Sequence, residues 1–410
     1  MPSTPTAVRP VPPAPGSLGA AVRSPIVTLR WLWSAYMTPG RPGRSTTEQE
    51  LRWIYTAWLG AFLLKMLGSS WDVSWHFRWL RDDLAPPHLL NSAGTAVVVA
   101  LVVFHSYTGY GVDRRALRLM QVGIATFLVA VPVDILNHRI NGLDITSWSP
   151  SHALLYIGTA IMLAGAIRGW WLYAAPGRVR DLVSLGLWLF FVENVVFPNQ
   201  HQEYGVLSLQ AVTERGEYYA EAELLDFAVA QSSTGDYGAA VEQFMLPVPS
   251  WVHPAWLICA GLLSLVVARM MVGLRFTATA IVGVYLAYRA VMWVALDAMG
   301  FPPSVLPLVM LVGALCIDVA ITYGLPGWLA APVTALAVYG AGLVQDAADL
   351  LPPWNWTWWS IALVVAGFTA LWSAVDATAR SAWLAGWRCP AEPGAPALET
   401  PVAVGGASLR

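Results

Sequence analysis

The chain has 410 residues, of which 57% are hydrophobic and only 12% are charged, and its formal net charge is -2. Soluble domains are usually about 25% charged, so a long chain with so little charge is predicted to be a polytopic membrane protein whose main partner is the lipid bilayer. The near-zero net charge excludes the strongly basic surface that a nucleic-acid partner requires.

The two ends of the chain differ in composition from its apolar middle. Residues 1–24 are rich in Pro, Ala and Ser, a composition typical of a disordered tail. Residues 25–38 are apolar and aromatic but too short to span a bilayer, and we predict an interfacial helix there. The N-terminal tail and interfacial helix thus occupy 1–50, the transmembrane domain 51–387, and a second disordered tail 388–410.

Long apolar segments fill the middle of the chain. Since about 20 apolar residues span a bilayer as an α-helix, the sequence predicts about ten transmembrane helices. They lie at residues 52–75, 88–108, 116–137, 151–174, 180–198, 252–272, 276–298, 304–324, 327–347 and 357–379. Short linkers join most neighbours, so the predicted fold is all-α, a polytopic membrane protein of repeated helical hairpins. The polar linker 199–250 is expected to be an extracytoplasmic insertion with one or two short surface helices, either a lid or a docking surface.

Basic residues are concentrated in alternate linkers. By the positive-inside rule, these linkers and both chain termini face the cytoplasm, and the protein is predicted to be a multi-pass protein of the cell membrane. The linker at 76–87 then faces outward, as does the one that follows the third segment. The assignment rests on the following residues: Arg9, Arg23, Arg30, Arg41, Arg44, Arg114, Arg115, Arg118, Arg178, Arg180, Arg269 and Arg275.

Two outward-facing linkers repeat one pattern of acidic and imidazole side chains. Residues 71–94 read WDVSWHFRWLRDDLAPPHLLNSAG, and residues 133–158 read VDILNHRINGLDITSWSPSHALLYIG. In each, Asp is followed four residues later by His, and a second His follows a Pro at the start of the next helix. The matching residues are Asp72, His76 and His88 in the first copy and Asp134, His138 and His152 in the second. A degenerate third copy and the loops offer further candidates: Glu193, His201, His253, Asp82 and Asp144.

This repeated pattern indicates a metal site. Side chains four residues apart share one helix face, about 5–6 Å from each other. Either Asp and His both bind the metal, or the carboxylate orients the imidazole that binds it. A hairpin brings the second His near the first, which predicts an Asp-His-His site with open positions, an arrangement that suits catalysis. The alternative is that each His only hydrogen-bonds its Asp and caps a helix at the interface.

The first copy resembles the C subunit of the particulate methane and ammonia monooxygenases. In that subunit a helix ends in Asp-x-x-x-His, an Arg-Asp pair follows, and a second His comes after a Pro. Arg81 and Asp82 match the Arg-Asp pair, whereas the second copy has Gly-Leu-Asp at 142–144. The resemblance implies copper as the cofactor. Imidazole also suits zinc and iron, which are the alternatives. The implied copper ligands are Asp72, His76 and His88, with Asp134, His138 and His152 at the matching positions of the second copy.

Four functions are compatible with these features. The first is a copper-dependent membrane oxidoreductase of the monooxygenase type, which would act on a small or lipophilic substrate. The sequence shows no flavin, haem-attachment or iron–sulfur motif, so a partner subunit or quinol would have to supply its electrons. The second is a non-enzymatic metal-handling or transport protein. The others are a haem protein with two axial histidines and a structural subunit of a membrane complex.

Several charged residues lie inside the predicted helices. Lys65 is expected to pair with Asp318 or Glu193, because an unpaired charge in the membrane is costly. Arg289 is expected to pair with Asp297 or Glu193. Two arginines near cytoplasmic helix ends are instead expected to extend their charges to the interface: Arg168 and Arg269.

Overall fold

The computed structural model describes the greater part of the chain. The described residues are 26–27, 45–79, 84–141, 147–231, 238–239, 242, 246–302, 304–348, 350 and 356–379, with only the backbone described at 138–141, 228 and 231. Both predicted tails, most of the predicted interfacial helix and the loop residues Arg81, Asp82 and Asp144 lie outside this part. The side chain of His138 also lies outside it.

The described residues fold into helices without a β-strand. In chain order the helices are α1 Glu48–His76, α2 Pro86–Thr108, α3 Arg114–Asn141, α4 Pro150–Tyr173, α5 Arg178–Gln210, α6 Ala222–Gln231, α7 Val252–Val272, α8 Thr277–Ala298, α9 Val309–Thr322, α10 Gly327–Ala347 and α11 Trp358–Ala379. Within this part of the chain, 8 helices are long and apolar enough to cross a membrane, namely α2 to α5, α7, α8, α10 and α11. The prediction of an all-α polytopic membrane protein is therefore confirmed.

Each of the ten predicted segments contains a helix, but two of these helices differ from a simple span. Helix α1 has 29 residues, and it carries several charged residues besides its apolar ones. Helix α9 has only 14 residues, because the predicted segment 304–324 begins with a non-helical stretch. Pro307 lies in that stretch, and a proline within a helix would lack one backbone hydrogen bond.

Helix α5 is longer than predicted. It continues past Pro198 to Gln210 and ends in a π-helical turn, Ala211–Arg215. Residues 199–204, which we expected to begin an extracytoplasmic insertion, lie inside this helix and are buried. Partners on other helices stabilise these buried polar side chains. Glu203, for example, binds Arg289 of α8 at 2.8 Å. The insertion therefore begins only after α5, and its described part contains the short helix α6.

Helices α1 to α4 form two closely packed hairpins, α1–α2 and α3–α4. A glycine allows close contact in each hairpin. A Cβ atom on Gly94 would lie 2.7 Å from the carbonyl oxygen of Ala61, and one on Gly158 would lie 2.7 Å from the backbone nitrogen of Phe127. These two glycines each follow the second His of their copy by six residues. The two hairpins thus share their helix contact as well as their sequence pattern.

The direct ion pairs inside the bundle differ from those predicted. Asp318 binds Arg269 at 3.1 Å rather than Lys65, and the Arg289 guanidinium binds Glu203 at 2.8 Å rather than Asp297. Lys65 and Arg289 both interact electrostatically with Glu193, the other predicted partner.

The two arginines expected to reach the interface are also buried in ion pairs. Arg168 binds Asp113 at 2.6 Å, and Arg269 binds Asp318. The prediction that they extend outward is therefore wrong. A buried cation needs an anionic partner nearby, and in each case a neighbouring helix or turn supplies it.

Candidate metal centre

The carboxylate and two imidazoles of the first copy converge where α1 ends and α2 begins. Asp72 and His76 lie in the last turns of α1, and His88 lies in the first turn of α2 just after Pro86 and Pro87. Asp72 Oδ1 lies 2.7 Å from His88 Nε2 and 3.6 Å from His76 Nε2. One ligand atom from each of the three residues can be chosen so that all lie within 4.8 Å of one another.

These distances suit a single metal ion. Nitrogen and oxygen ligands bind first-row metals at about 2.0–2.2 Å, so ligand atoms around a tetrahedral ion stand about 3.4 Å apart. The separations of 2.7 Å and 3.6 Å from Asp72 Oδ1 bracket that value, so small side-chain rotations would accommodate an ion. All three side chains are largely buried, which limits competition from water.

The second copy is built differently. His152 Nε2 lies 3.4 Å from Asp134 Oδ1, but the same carboxylate oxygen also accepts a hydrogen bond of 2.9 Å from Ser151 Oγ. Ser149 caps α4, and its hydroxyl accepts a hydrogen bond from the backbone nitrogen of His152. The predicted third member, His138, lies in α3, but its side chain is outside the described part of the chain. The structure therefore brings together Asp134 and His152 in this copy.

Both copies face one cavity of about 720 Å³ that lies between the two hairpins. Its wall includes the candidate ligands Asp72, His76, His88, Asp134 and His152. His152 also interacts electrostatically with Asp72 of the other hairpin. The cavity falls within the volume range of about 300–1,000 Å³ that small-molecule sites occupy. The two copies thus contribute to one shared chamber rather than to two separated surfaces.

The third copy contributes only one of its candidates to this chamber. Glu193, in α5, is buried and lines the cavity. His201 is buried behind the cavity with its ring against Phe77, at a centroid distance of 4.9 Å. His253 is buried elsewhere, and its carbonyl oxygen accepts a hydrogen bond from Asn199. His201 and His253 do not line the cavity, although His201 interacts electrostatically with His76 and His152.

Lys65, for which the sequence predicts only an ion pair, lines the cavity. Its ammonium donates hydrogen bonds to Asn91 Oδ1 and Thr95 Oγ1, both at 3.0 Å, and lies 4.0 Å from the centroid of the Phe127 ring. Lys65 precedes Asp72 by seven residues, and Phe127 precedes Asp134 by seven. Extending the repeat alignment upstream along both helices would have drawn attention to this pair.

The contact between Lys65 and Phe127 joins the two hairpins at matching positions. Each residue precedes the Asp of its own copy by seven residues, and both line the cavity. The two hairpins therefore meet beside the chamber that Asp72, His76, His88, Asp134 and His152 also line.

Comparison of the chain with protein-family models, curated proteins and solved structures finds no match. The site is accordingly interpreted from its own geometry and chemistry.

Proposed function

We propose that this integral membrane protein is a metal-dependent oxidoreductase whose metal ion is held by Asp72, His76 and His88. The observation that carries the proposal is the convergence of these three ligand atoms, from two helices, on the wall of a substrate-sized cavity. Three protein ligands leave coordination positions open, as catalytic metal sites require.

Copper is the proposed metal, with zinc and iron as alternatives. Two imidazoles and a carboxylate suit all three, and the resemblance of the Asp-x-x-x-His motif to the copper monooxygenases favours copper. A bound copper ion would supply one-electron chemistry with O₂. The electrons would come from a partner subunit or a membrane-soluble donor.

Residues of the second hairpin would assist the chemistry without binding the ion. Asp134 and His152 line the same cavity, and both side chains can exchange protons with a bound molecule. The hydrogen bond from Ser151 fixes the orientation of Asp134. We therefore assign this hairpin to proton handling.

The proposed site faces the outside of the cell. The basic linkers favour a cytoplasmic position for both termini and hence an extracytoplasmic position for the end of α1. A metal-transport function is less well supported, because the positive charge of Lys65 in the same cavity would oppose passage of a cation deeper into the membrane.

Metal analysis of the purified protein tests the proposal. After loading with Cu²⁺, Zn²⁺ or Fe²⁺ and removal of excess metal, we expect one equivalent of copper per chain and a Cu(II) spin-resonance spectrum with coupling to imidazole nitrogens. His76→Ala and His88→Ala should each lose the bound ion. His253→Gln is the matched control, because this buried His lies outside the cavity, and it should keep the ion. A wild-type protein that holds no metal under any of these conditions contradicts the proposal.

A further inference from the structure

The cavity between the hairpins is closed on one side and open on the other. Helix α5 closes the first side, where its lining residues are between 5% and 9% exposed: Phe190, Glu193, Asn194 and Phe197. On the α3 side, three lining residues are exposed by 46%, 44% and 48%: Leu128, Val131 and Ile135. The facing residues of α2, Ser92 and Ala96, also line the cavity and are exposed. The chamber therefore opens between α2 and α3.

This opening lies at the depth of the hydrocarbon core. Leu128 stands halfway along α3, and Ala96 stands halfway along α2. Both helices are long and apolar enough to cross a membrane, so their midpoints lie near the bilayer centre. A molecule that passes through this opening would therefore come from the lipid phase rather than from water.

Deep in the cavity lie two ionisable side chains, Lys65 and Glu193, that interact electrostatically but form no direct ion pair with each other. Lys65 is 6% exposed and Glu193 is 5% exposed, and both line the cavity. Among the described residues, no carboxylate lies within 4.0 Å of the Lys65 ammonium, which instead binds the neutral side chains of Asn91 and Thr95. Glu193 Oε1 has no hydrogen-bond partner in the same part of the chain. A buried polar atom without a hydrogen-bond partner is costly, so Glu193 Oε1 beside the Lys65 ammonium indicates a polar ligand.

We propose that the cavity binds a long-chain, membrane-soluble alcohol that passes between α2 and α3. A hydroxyl group can accept a hydrogen bond from the Lys65 ammonium and donate one to the Glu193 carboxylate, which matches both groups at once. The apolar lining and the opening to lipid select an alkyl chain for the rest of the molecule. A plain hydrocarbon offers no hydrogen-bond donor and would leave Glu193 Oε1 without a partner.

This inference deepens the proposed function, and it rests on that function only in treating the alcohol as a substrate. Lys65 precedes Asp72 by seven residues on α1, a rise of about 10 Å. With its hydroxyl held at Lys65, the alcohol would present its alkyl chain, and not the hydroxyl carbon, to the Asp72, His76 and His88 site.

Photolabelling tests the alcohol site directly. The full chain, reconstituted in phosphatidylcholine vesicles, is exposed to hexadecanol that carries a diazirine at its chain end, and the labelled residues are mapped by mass spectrometry. We expect saturable labelling of cavity residues on α2 and α3, suppressed by excess 1-hexadecanol but not by hexadecane. Lys65→Met and Glu193→Gln should each weaken competition by hexadecanol about tenfold or more, because a hydrogen bond to a charged group is lost.

A matched pair of variants tests the opening. Val131→Trp should fill the opening with a larger side chain and lower saturable labelling about tenfold. Val129→Trp is the control, because Val129 is 57% exposed on the same helix but does not line the cavity. Its labelling should equal that of the wild type.

The outcomes separate this inference from the metal proposal. Equal competition by hexadecanol and hexadecane, or uniform labelling of all lipid-facing helices, overturns the alcohol site even if the protein binds copper. Equal labelling of Val131→Trp and Val129→Trp overturns the opening between α2 and α3. Saturable, alcohol-selective labelling of a protein that binds no metal supports the alcohol site and contradicts only the proposed function. Gel filtration of each variant verifies that it remains folded.

Discussion

The α1–α2 and α3–α4 hairpins share a framework but differ at the residue before the second His. Each second His follows a Pro by two residues, and the residue between them is Pro87 in the first hairpin and Ser151 in the second. Asp72 lies 2.7 Å from His88, whereas Asp134 lies 3.4 Å from His152 and accepts a hydrogen bond from Ser151. A single residue next to the second His therefore decides whether the Asp of its copy contacts only the imidazoles or also accepts a hydrogen bond from a hydroxyl.

The physical reason lies in what each residue can donate. Proline offers no hydrogen-bond donor, so Asp72 is left to the imidazoles of its own hairpin. Serine offers a hydroxyl proton, which binds the carboxylate of Asp134 and competes with any ion for the same oxygen. The first hairpin is therefore suited to hold a metal, and the second is suited to orient a proton carrier.

The largest expected effect separates the two aspartates. Asp72→Asn should lower metal affinity by more than about 100-fold, because it removes a charged ligand, whereas Asp134→Asn should lower it less than about tenfold. Metal titration of both purified variants measures the difference. Equal losses would mean that both hairpins bind the same ion, and the division of roles would then be abandoned.

A smaller effect on metal affinity is expected when Pro87 of the first hairpin is replaced by serine, the residue found at the matching position 151. Pro87→Ser should place a hydroxyl beside Asp72 and lower metal affinity about tenfold, because the hydroxyl proton would compete with the ion for the carboxylate oxygen that faces the imidazoles. Competition with a chromogenic chelator gives the affinity, and Pro86→Ser serves as the neighbouring control. Affinity unchanged in Pro87→Ser would show that the residue before His88 does not set the role of Asp72.

The shared framework predicts equal costs in the two hairpins. Gly94→Ala and Gly158→Ala each place a methyl group 2.7 Å from backbone atoms of the facing helix, so each should lower the free energy of unfolding by about 1–3 kcal/mol. Gly60→Ala is the control, because no atom lies within 4 Å of its added Cβ. Thermal unfolding followed by gel filtration compares the three, and a cost in only one hairpin would contradict the common packing.

The smallest effect concerns the hydrogen bond that distinguishes the second hairpin. Ser151→Ala should lower the free energy of unfolding by about 1 kcal/mol while leaving metal affinity unchanged. The thermal-unfolding assay reports the first quantity and the metal titration the second. A large loss of metal would instead show that Ser151 supports the ion site through Asp134.

Features set by local sequence were the ones that could be predicted. The apolar segments were found from their length, and the approach of Asp72, His76 and His88 followed from helical spacing and a short hairpin. These arrangements depend on residues close to one another in the chain, whose geometry is nearly fixed by the helix itself.

Contacts between helices that are distant in the sequence could not be predicted in the same way. Arg289 binds Glu203, a residue 86 positions away, and the sequence offered several equally plausible acids. The polar residues 199–204 predict a surface segment, yet in the structure they lie buried inside α5. Burial of a polar run becomes favourable only when partners on other helices are present, and those partners are unknown until the bundle is assembled.

The contact between Lys65 and Phe127 also explains an advantage of having both hairpins in one chain. Two identical hairpins packed with these same positions in contact would place either two lysines or two phenylalanines against each other. Two ammonium groups so close in a membrane would repel strongly, and two phenyl rings would provide no charge to the cavity. Tandem, non-identical hairpins allow a cation on one side and an aromatic ring on the other, a pairing that is attractive and directs a single positive charge into the chamber.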